Sequence, residues 1–124
     1  MKIFISITAI ILYFSNCQLE AKTKKYERDY QKIFCKNLNG KIEYRLIDKT
    51  RVDCLTKEYA IELDFGHKWA ESIGQSLYYS YMTNKKAGIG IIVNTNLISD
   101  KRYLKRLCKV TNILGIKVWI IHKF

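Results

Sequence analysis

One stretch limits the possible folds more than any other: residues 58–79, "EYAIELDFGHKWAESIGQSLYY". Tyr59, Ile61, Leu63 and Phe65 alternate with Ala60, Glu62 and Asp64, the period-two pattern of a β-strand whose two faces differ. Gly66 then breaks the strand, and a helix is expected from there through about Met82. Ala70, Ile73, Gly74, Leu77 and Tyr81 form its expected apolar stripe, with Gly74 allowing close approach to a sheet. Further on, "AGIGIIV" at 87–93 is apolar without alternation, as a strand buried on both faces must be. A strand, a helix and a second buried strand in succession imply parallel pairing through a crossover.

The flanking segments extend this pattern. Residues 22–38 carry Tyr26, Tyr30, Ile33, Phe34 and Leu38 at helical spacing, and Asn39-Gly40 ends that helix. "KIEYRLI" alternates, "DKT" at 48–50 turns the chain, and "RVDCL" follows, so the simplest reading is a three-stranded antiparallel meander. Near the C-terminus, Ser99 or Asp100 is positioned to cap a helix that buries Leu104, Leu107, Cys108 and Leu114. "IKVWII" is a last strand. The fold class is α/β: an αβββαβ core with a mixed central sheet flanked by helices, plus a further αβ unit at the C-terminus.

The first residues have a separate logic. Lys2 precedes "IFISITAIILYF", a charged start followed by an apolar run of signal-peptide length. Residues 1–21 are read as a signal peptide or lipoprotein signal and 22–124 as the mature domain. "LEA" ending at Ala21 is one cleavage point; "FSNC" offers a lipoprotein box in which Cys17 would be acylated, tethering the protein to a membrane. An uncleaved anchor is the alternative. The expected location is outside the cytoplasm: periplasmic, secreted or envelope-tethered. In such a compartment thiols pair. Cys35 and Cys54 are the expected disulfide, because Cys35 ends a helix that must pack near the first strands. The cysteines lack the CxxC spacing of a structural zinc site.

Charge supplies the next constraint. The formal net charge is +11, from 22 Lys and Arg against 11 Asp and Glu, which favours an anionic partner. Against that background the acids are informative. Glu62 and Asp64 lie about 6.6 Å apart on one strand face. Asp53 lies opposite Ala60 and diagonal to Glu62 if the hairpin loop has two residues, and faces Glu62 directly if the loop is two residues longer. A shift by an odd number moves it to the other face. Three clustered carboxylates raise one another's pKa unless a cation neutralises them, and hard oxygen donors suit Mg²⁺ or Mn²⁺. The competing possibility is a solvated face paired with Arg51 or Arg45.

These residues, in this order, resemble the PD-(D/E)XK nuclease superfamily. "RVDCL" looks like the family's second strand, with its Asp at Asp53, and "IELDF" like the third, with the acidic ligand at Glu62. "QSLYY" matches the Q-x-x-x-Y helix element at Gln75 and Tyr79. The resemblance spans residues 24–121. It implies a metal-dependent hydrolase of phosphodiester bonds, with DNA the expected substrate and Asp53 and Glu62 as catalytic metal ligands, and the strand spacing adds Asp64 to that catalytic, metal-holding set. It also departs from the family pattern, because Asp64 stands where Lys is usual. Lys68 is the candidate replacement, since Lys68, Gln75 and Tyr79 fall along one line of an ideal helix. Gln75 and Tyr79 would contact substrate, and Arg102, Lys105, Arg106 and Lys109 would follow a phosphate backbone. Glu27 and Asp29 are further acids on the first helix, read by default as solvated. His67 and His122 are too scattered for a catalytic pair. A nuclease-fold protein without activity, binding nucleic acid or an envelope partner, is the alternative.

Overall fold

The structure is a computed structural model that describes residues 26–124; the expected signal and Cys17 lie outside the described residues. Helix α1 spans Glu27–Asn37, and Asp29 caps its start by accepting the Tyr26 N–H at 2.9 Å. Asn39, at φ 54°, ends it as its sequence anticipates. Strands β1 (Lys41–Arg45), β2 (Arg51–Leu55) and β3 (Tyr59–Phe65) form the antiparallel meander. Asp48 holds the first turn by accepting from both the amide and the hydroxyl of Thr50. A 3₁₀ turn at Gly66–Lys68 leads into α2 (Trp69–Thr83), then β4 (Lys86–Val93), α3 (Ile98–Leu114) and β5 (Lys117–His122).

The sheet runs β1-β2-β3-β4-β5, so every strand lies beside its sequence neighbour. β3 pairs β4 and β4 pairs β5 in parallel, as the intervening helices require. Helix α1 covers one face, where Cys35, Cys54, Ile61 and Leu63 pack with Phe34 and Trp119. Helices α2 and α3 cover the other, where Ala87, Ile89, Ile91, Val93 and Leu107 pack with Trp69, Ile73 and Leu104. Cys35 and Cys54 form a disulfide that ties α1 to β2. Gly88 makes room for Trp119 to lie across the sheet, since a Cβ there would sit 2.7 Å from its ring.

Helix α2 keeps only Ile73 of its expected apolar stripe in the core, and α3 departs from its expected buried set at Leu114 alone. In α2 the buried line is Ser72, Ser76 and Tyr79. Tyr81 is 83% exposed, Leu77, Ala70 and Gly74 are exposed, and Gly74 approaches nothing within 4 Å. The serine hydroxyls donate to the Trp69 and Ile73 carbonyls at 2.8 and 2.9 Å. With that polarity satisfied internally, small serines are better than bulky apolar residues at bringing the helix close to the sheet. In α3, Leu107 is buried as expected, whereas Leu114 is exposed and Thr111 takes the buried position. Leu97 is the N-cap residue there, not Ser99 or Asp100. Asp100 instead turns inward, accepting the Asn94 amide at 2.6 Å and pairing with Lys123 at 3.5 Å.

Candidate functional site

The meander shapes the site. β2 and β3 are in register at Cys54↔Ile61 and Leu55↔Ala60. Continued by one residue, that register sets Asp53 across from Glu62, the longer-loop alternative of the sequence. The backbone pairing stops there, and the Asp53 carboxylate accepts the Leu63 N–H at 2.8 Å. The two strands are thus bridged by a side chain at the point where the acids gather.

Glu62 and Asp64 are 6% and 4% exposed. Burial is the main reason the Glu62 carboxyl is pushed up to about 10, with Asp53, Asp64 and Glu27 adding to the shift. The pKa of Asp53 is itself raised by burial and held back by the Leu63 amide and by Glu62. Asp64 is raised to about 7 by burial and then by Glu27, while Lys68 opposes the rise. Glu27, on α1, is itself raised by burial and by Asp53, with Lys68 and Asp64 opposing the rise. Four carboxyls from α1, β2 and β3 therefore form one electrostatic unit.

Two of its oxygens, Glu62 Oε2 and Asp64 Oδ2, are buried without a hydrogen-bond partner. Each such atom costs about 1–3 kcal/mol. The ion pairs among the described residues do not relieve them, since these join Arg51 to Glu43, Lys86 to Glu58 and Lys123 to Asp100. Pairing of Glu62 or Asp64 with Arg51 or Arg45 is thereby excluded. No three donors among the described residues already stand at metal-binding spacing. The neighbour that acts most strongly on Glu62 is Asp53, and the one that acts most strongly on Asp64 is Glu27. An all-oxygen donor set with two bare oxygens fits a hard divalent cation, which would take the place of the carboxyl protons.

Lys68 lies in the 3₁₀ turn, exposed, and its charge acts on Glu27 and Asp64. Tyr79 is buried against Val52 and Ala60, and burial followed by Glu62 and Asp53 drives its phenol up to about 12. Thus Asp53, Glu62, Asp64, Lys68 and Tyr79 are brought together. Gln75 is exposed and makes no hydrogen bond among the described residues. Arg102, Lys105, Arg106 and Lys109 occupy the exposed side of α3. No protein-family model, curated protein or solved structure matches the chain.

Three contributors escaped the sequence reading or were set aside in it. Glu27, expected in solvent, is half-buried and acts on Asp64. Gln31 is 4% exposed, and its Nε2 donates to the Asp53 carbonyl at 2.8 Å and to Glu43 Oε1 at 3.2 Å. Glu43 sits at φ 52° within β1. The signal for the first two was present, because Glu27, Gln31 and Cys35 recur at i, i+4 and i+8, one ridge of α1. Asp29 serves as the helix cap. An open cleft of about 520 Å³ lies beside the cluster, lined by Tyr26, Glu27, Arg28, Gln31, Phe65, His67 and Lys68, with Glu43 at its edge.

Proposed function

We propose that this chain is an exported, divalent-metal-dependent nuclease of the PD-(D/E)XK type that hydrolyses phosphodiester bonds in DNA. The observation that carries the reading is the pair of buried, partnerless oxygens on Glu62 and Asp64 within a group of four carboxyls. Two buried acids with two half-buried ones beside them cost more stability than a neutral core, so they call for a ligand that offsets the cost. Asp53, Glu62 and Asp64 would hold Mg²⁺ or Mn²⁺. When bound, such an ion neutralises the carboxylates, activates water and polarises a phosphate.

The remaining roles belong to the chain. Lys68 offsets charge developing at phosphorus, the task of the lysine that Asp64 displaces. Tyr79 limits water access beside Glu62, while Gln75 and the α3 cations Arg102, Lys105, Arg106 and Lys109 hold substrate phosphates. Export is supported by the charged-then-apolar start and by the Cys35–Cys54 disulfide, a bond typical of oxidising compartments. Purified protein should cut plasmid or linear DNA with Mg²⁺ or Mn²⁺, and Glu62→Ala should abolish cutting while leaving the circular-dichroism spectrum intact.

A second reading, binding without cleavage, draws on Asp64 standing in the usual Lys position. Salt-sensitive DNA binding that persists in EDTA, with no cutting under either metal, would replace the first reading with this one.

A further inference from the structure

Phe65 and His67 line the cleft beside the acids, are backed by Tyr30 and Phe124, and have no part in the roles assigned above. Phe124 packs on Tyr30 with ring centroids 4.5 Å apart, Tyr30 meets Phe65 edge-on at 6.0 Å, and Phe65 stacks with His67 at 6.3 Å and 12°. The column starts on buried Tyr30 and ends on His67, which is exposed and lines the cleft. The His67 ring is nearly parallel to Phe65 and exposed, so it can take a planar partner. Lys123 stands 5.4 Å from the Phe65 ring, and Arg28 and Lys68 line the same cleft. A flat ring flanked by cations matches the two halves of a nucleotide: a base to stack and a phosphate to pair.

We propose that this cleft binds single-stranded nucleic acid, one unpaired base stacking on His67 while Arg28 and Lys68 hold its phosphates. The inference rests on the nuclease reading above and narrows its substrate to strands with unpaired bases. Inside a duplex both faces of each base are already covered, so only an unpaired or splayed base has a face for His67. The open cleft of about 520 Å³ has room for a ligand of nucleotide dimensions. The acids alone would repel a polyanion, and the cations on the rim, together with a net charge of +11, offset this.

The test measures binding without cleavage. Fluorescence anisotropy in EDTA would compare the full chain with its His67→Ala and His67→Trp variants. The probes are a labelled twelve-nucleotide DNA strand, the same sequence as RNA, and the DNA duplex. His67→Ala should weaken binding of the DNA strand by about fivefold or more, the range of a lost base–aromatic stack. His67→Trp, which keeps a stacking plane, should remain within about twofold of wild type. Duplex binding should be weaker and insensitive to either change. RNA bound as tightly as DNA would mark a site that reads bases without the sugar; weaker RNA binding would mark one that selects DNA strands. Equal losses on strand and duplex, or unchanged strand affinity in His67→Ala, would overturn the proposal. Because EDTA excludes metal chemistry, a failure to cut DNA would strike the nuclease reading without changing these binding outcomes.

Discussion

Asp53 and Leu63 are joined by a 2.8 Å hydrogen bond from the Leu63 amide to the Asp53 carboxylate, just past the last backbone rung between β2 and β3. One carboxyl thus serves two purposes, closing the sheet and joining the acid cluster. The two are separable. Asp53→Ala leaves the amide of fully buried Leu63 without an acceptor, costing about 1–3 kcal/mol. Asp53→Asn keeps an oxygen for that amide and should stay within about 1 kcal/mol of wild type in urea unfolding, while losing most Mn²⁺ affinity in calorimetric titration. Wild-type Mn²⁺ binding by the Asn variant would remove Asp53 from the ligand set.

Stability should fall as pH rises when no cation is present. Glu62 and Asp64 have folded pKa values of about 10 and about 7, against ordinary values of 4.5 and 3.8. A raised carboxyl pKa means that the folded state holds the proton more tightly. That stabilisation is complete below the unfolded pKa and is lost on rising through the folded one. For Asp64 the window runs from about pH 4 to 7, and for Glu62 from about 4.5 to 10. Asp48 and Glu58 are shifted down, so their contributions are complete before this window opens. The melting temperature in EDTA should drop between pH 5 and 9, by about 4–8 °C for each kcal/mol lost. Added Mn²⁺ should shrink that drop and release protons on binding. A flat profile in EDTA would mean that the acids ionise freely.

Much of this arrangement was legible in the residues, and the failures have physical causes. Strict alternation in 59–65 identified the strand and the shared face of Glu62 and Asp64, because period two leaves no freedom once one face is buried. The unalternated run at 87–93 forced parallel pairing, which β4 shows. The orientation of α2 was misjudged because apolar residues were given the buried stripe. Ser72 and Ser76 satisfy their hydroxyls within their own helix, so they count as small core residues. Gln31 and Glu27 share one ridge of α1 with Cys35, a signal that their polarity outweighs. A polar residue on an amphipathic helix reads as solvated until its partner is known, and the Asp53 carbonyl comes from a different element.

Lys68 should separate chemistry from metal binding. It is exposed, so Lys68→Ala should change stability by no more than about 0.5 kcal/mol. Its charge currently holds down the pKa values of Glu27 and Asp64. Its loss removes a cation that competes with a bound metal, so Mn²⁺ affinity should hold or rise. The cleavage rate should fall by about 10²–10³, the cost of removing one group that stabilises developing charge. Unchanged cleavage, with metal affinity intact, would deny Lys68 that part.

The disulfide should matter to the site through position. Cys35 lies one turn beyond Gln31 on α1, and Cys54 is next to Asp53 on β2. Gly40 packs against the bridge so closely that a Cβ would lie 2.5 Å from Cys54 Sγ and 2.7 Å from Cys35 Sγ. Gly40→Ala should therefore cost about 1–3 kcal/mol by overpacking. The Cys35→Ala/Cys54→Ala double variant should lose about 2–5 kcal/mol. Under conditions where the double variant is still folded, its Mn²⁺ affinity should also fall, because Glu27 and Asp53 are no longer tied together. Undiminished affinity in the folded double variant would limit the bridge to stability.

Glu62→Gln offers the sharpest test of the cluster, because its effects on stability and function should run in opposite directions. The amide keeps a donor beside Asp53 and removes a carboxyl that the folded state resists ionising. At pH 4.5 wild-type Glu62 is protonated when folded and about half protonated when unfolded, a difference worth only about 0.4 kcal/mol, so the two proteins should melt close together. At pH 8 the wild type must keep a proton on Glu62 that its unfolded chain has released, so in EDTA the variant should be the more stable. The gap should widen steadily with pH in between. Mn²⁺ should then reverse the order at pH 8, since it stabilises only a protein that binds it. DNA cleavage should be absent in the variant at every pH. A variant less stable than wild type throughout, with or without Mn²⁺, would mean that the Glu62 carboxyl is held by the fold itself and not reserved for a cation.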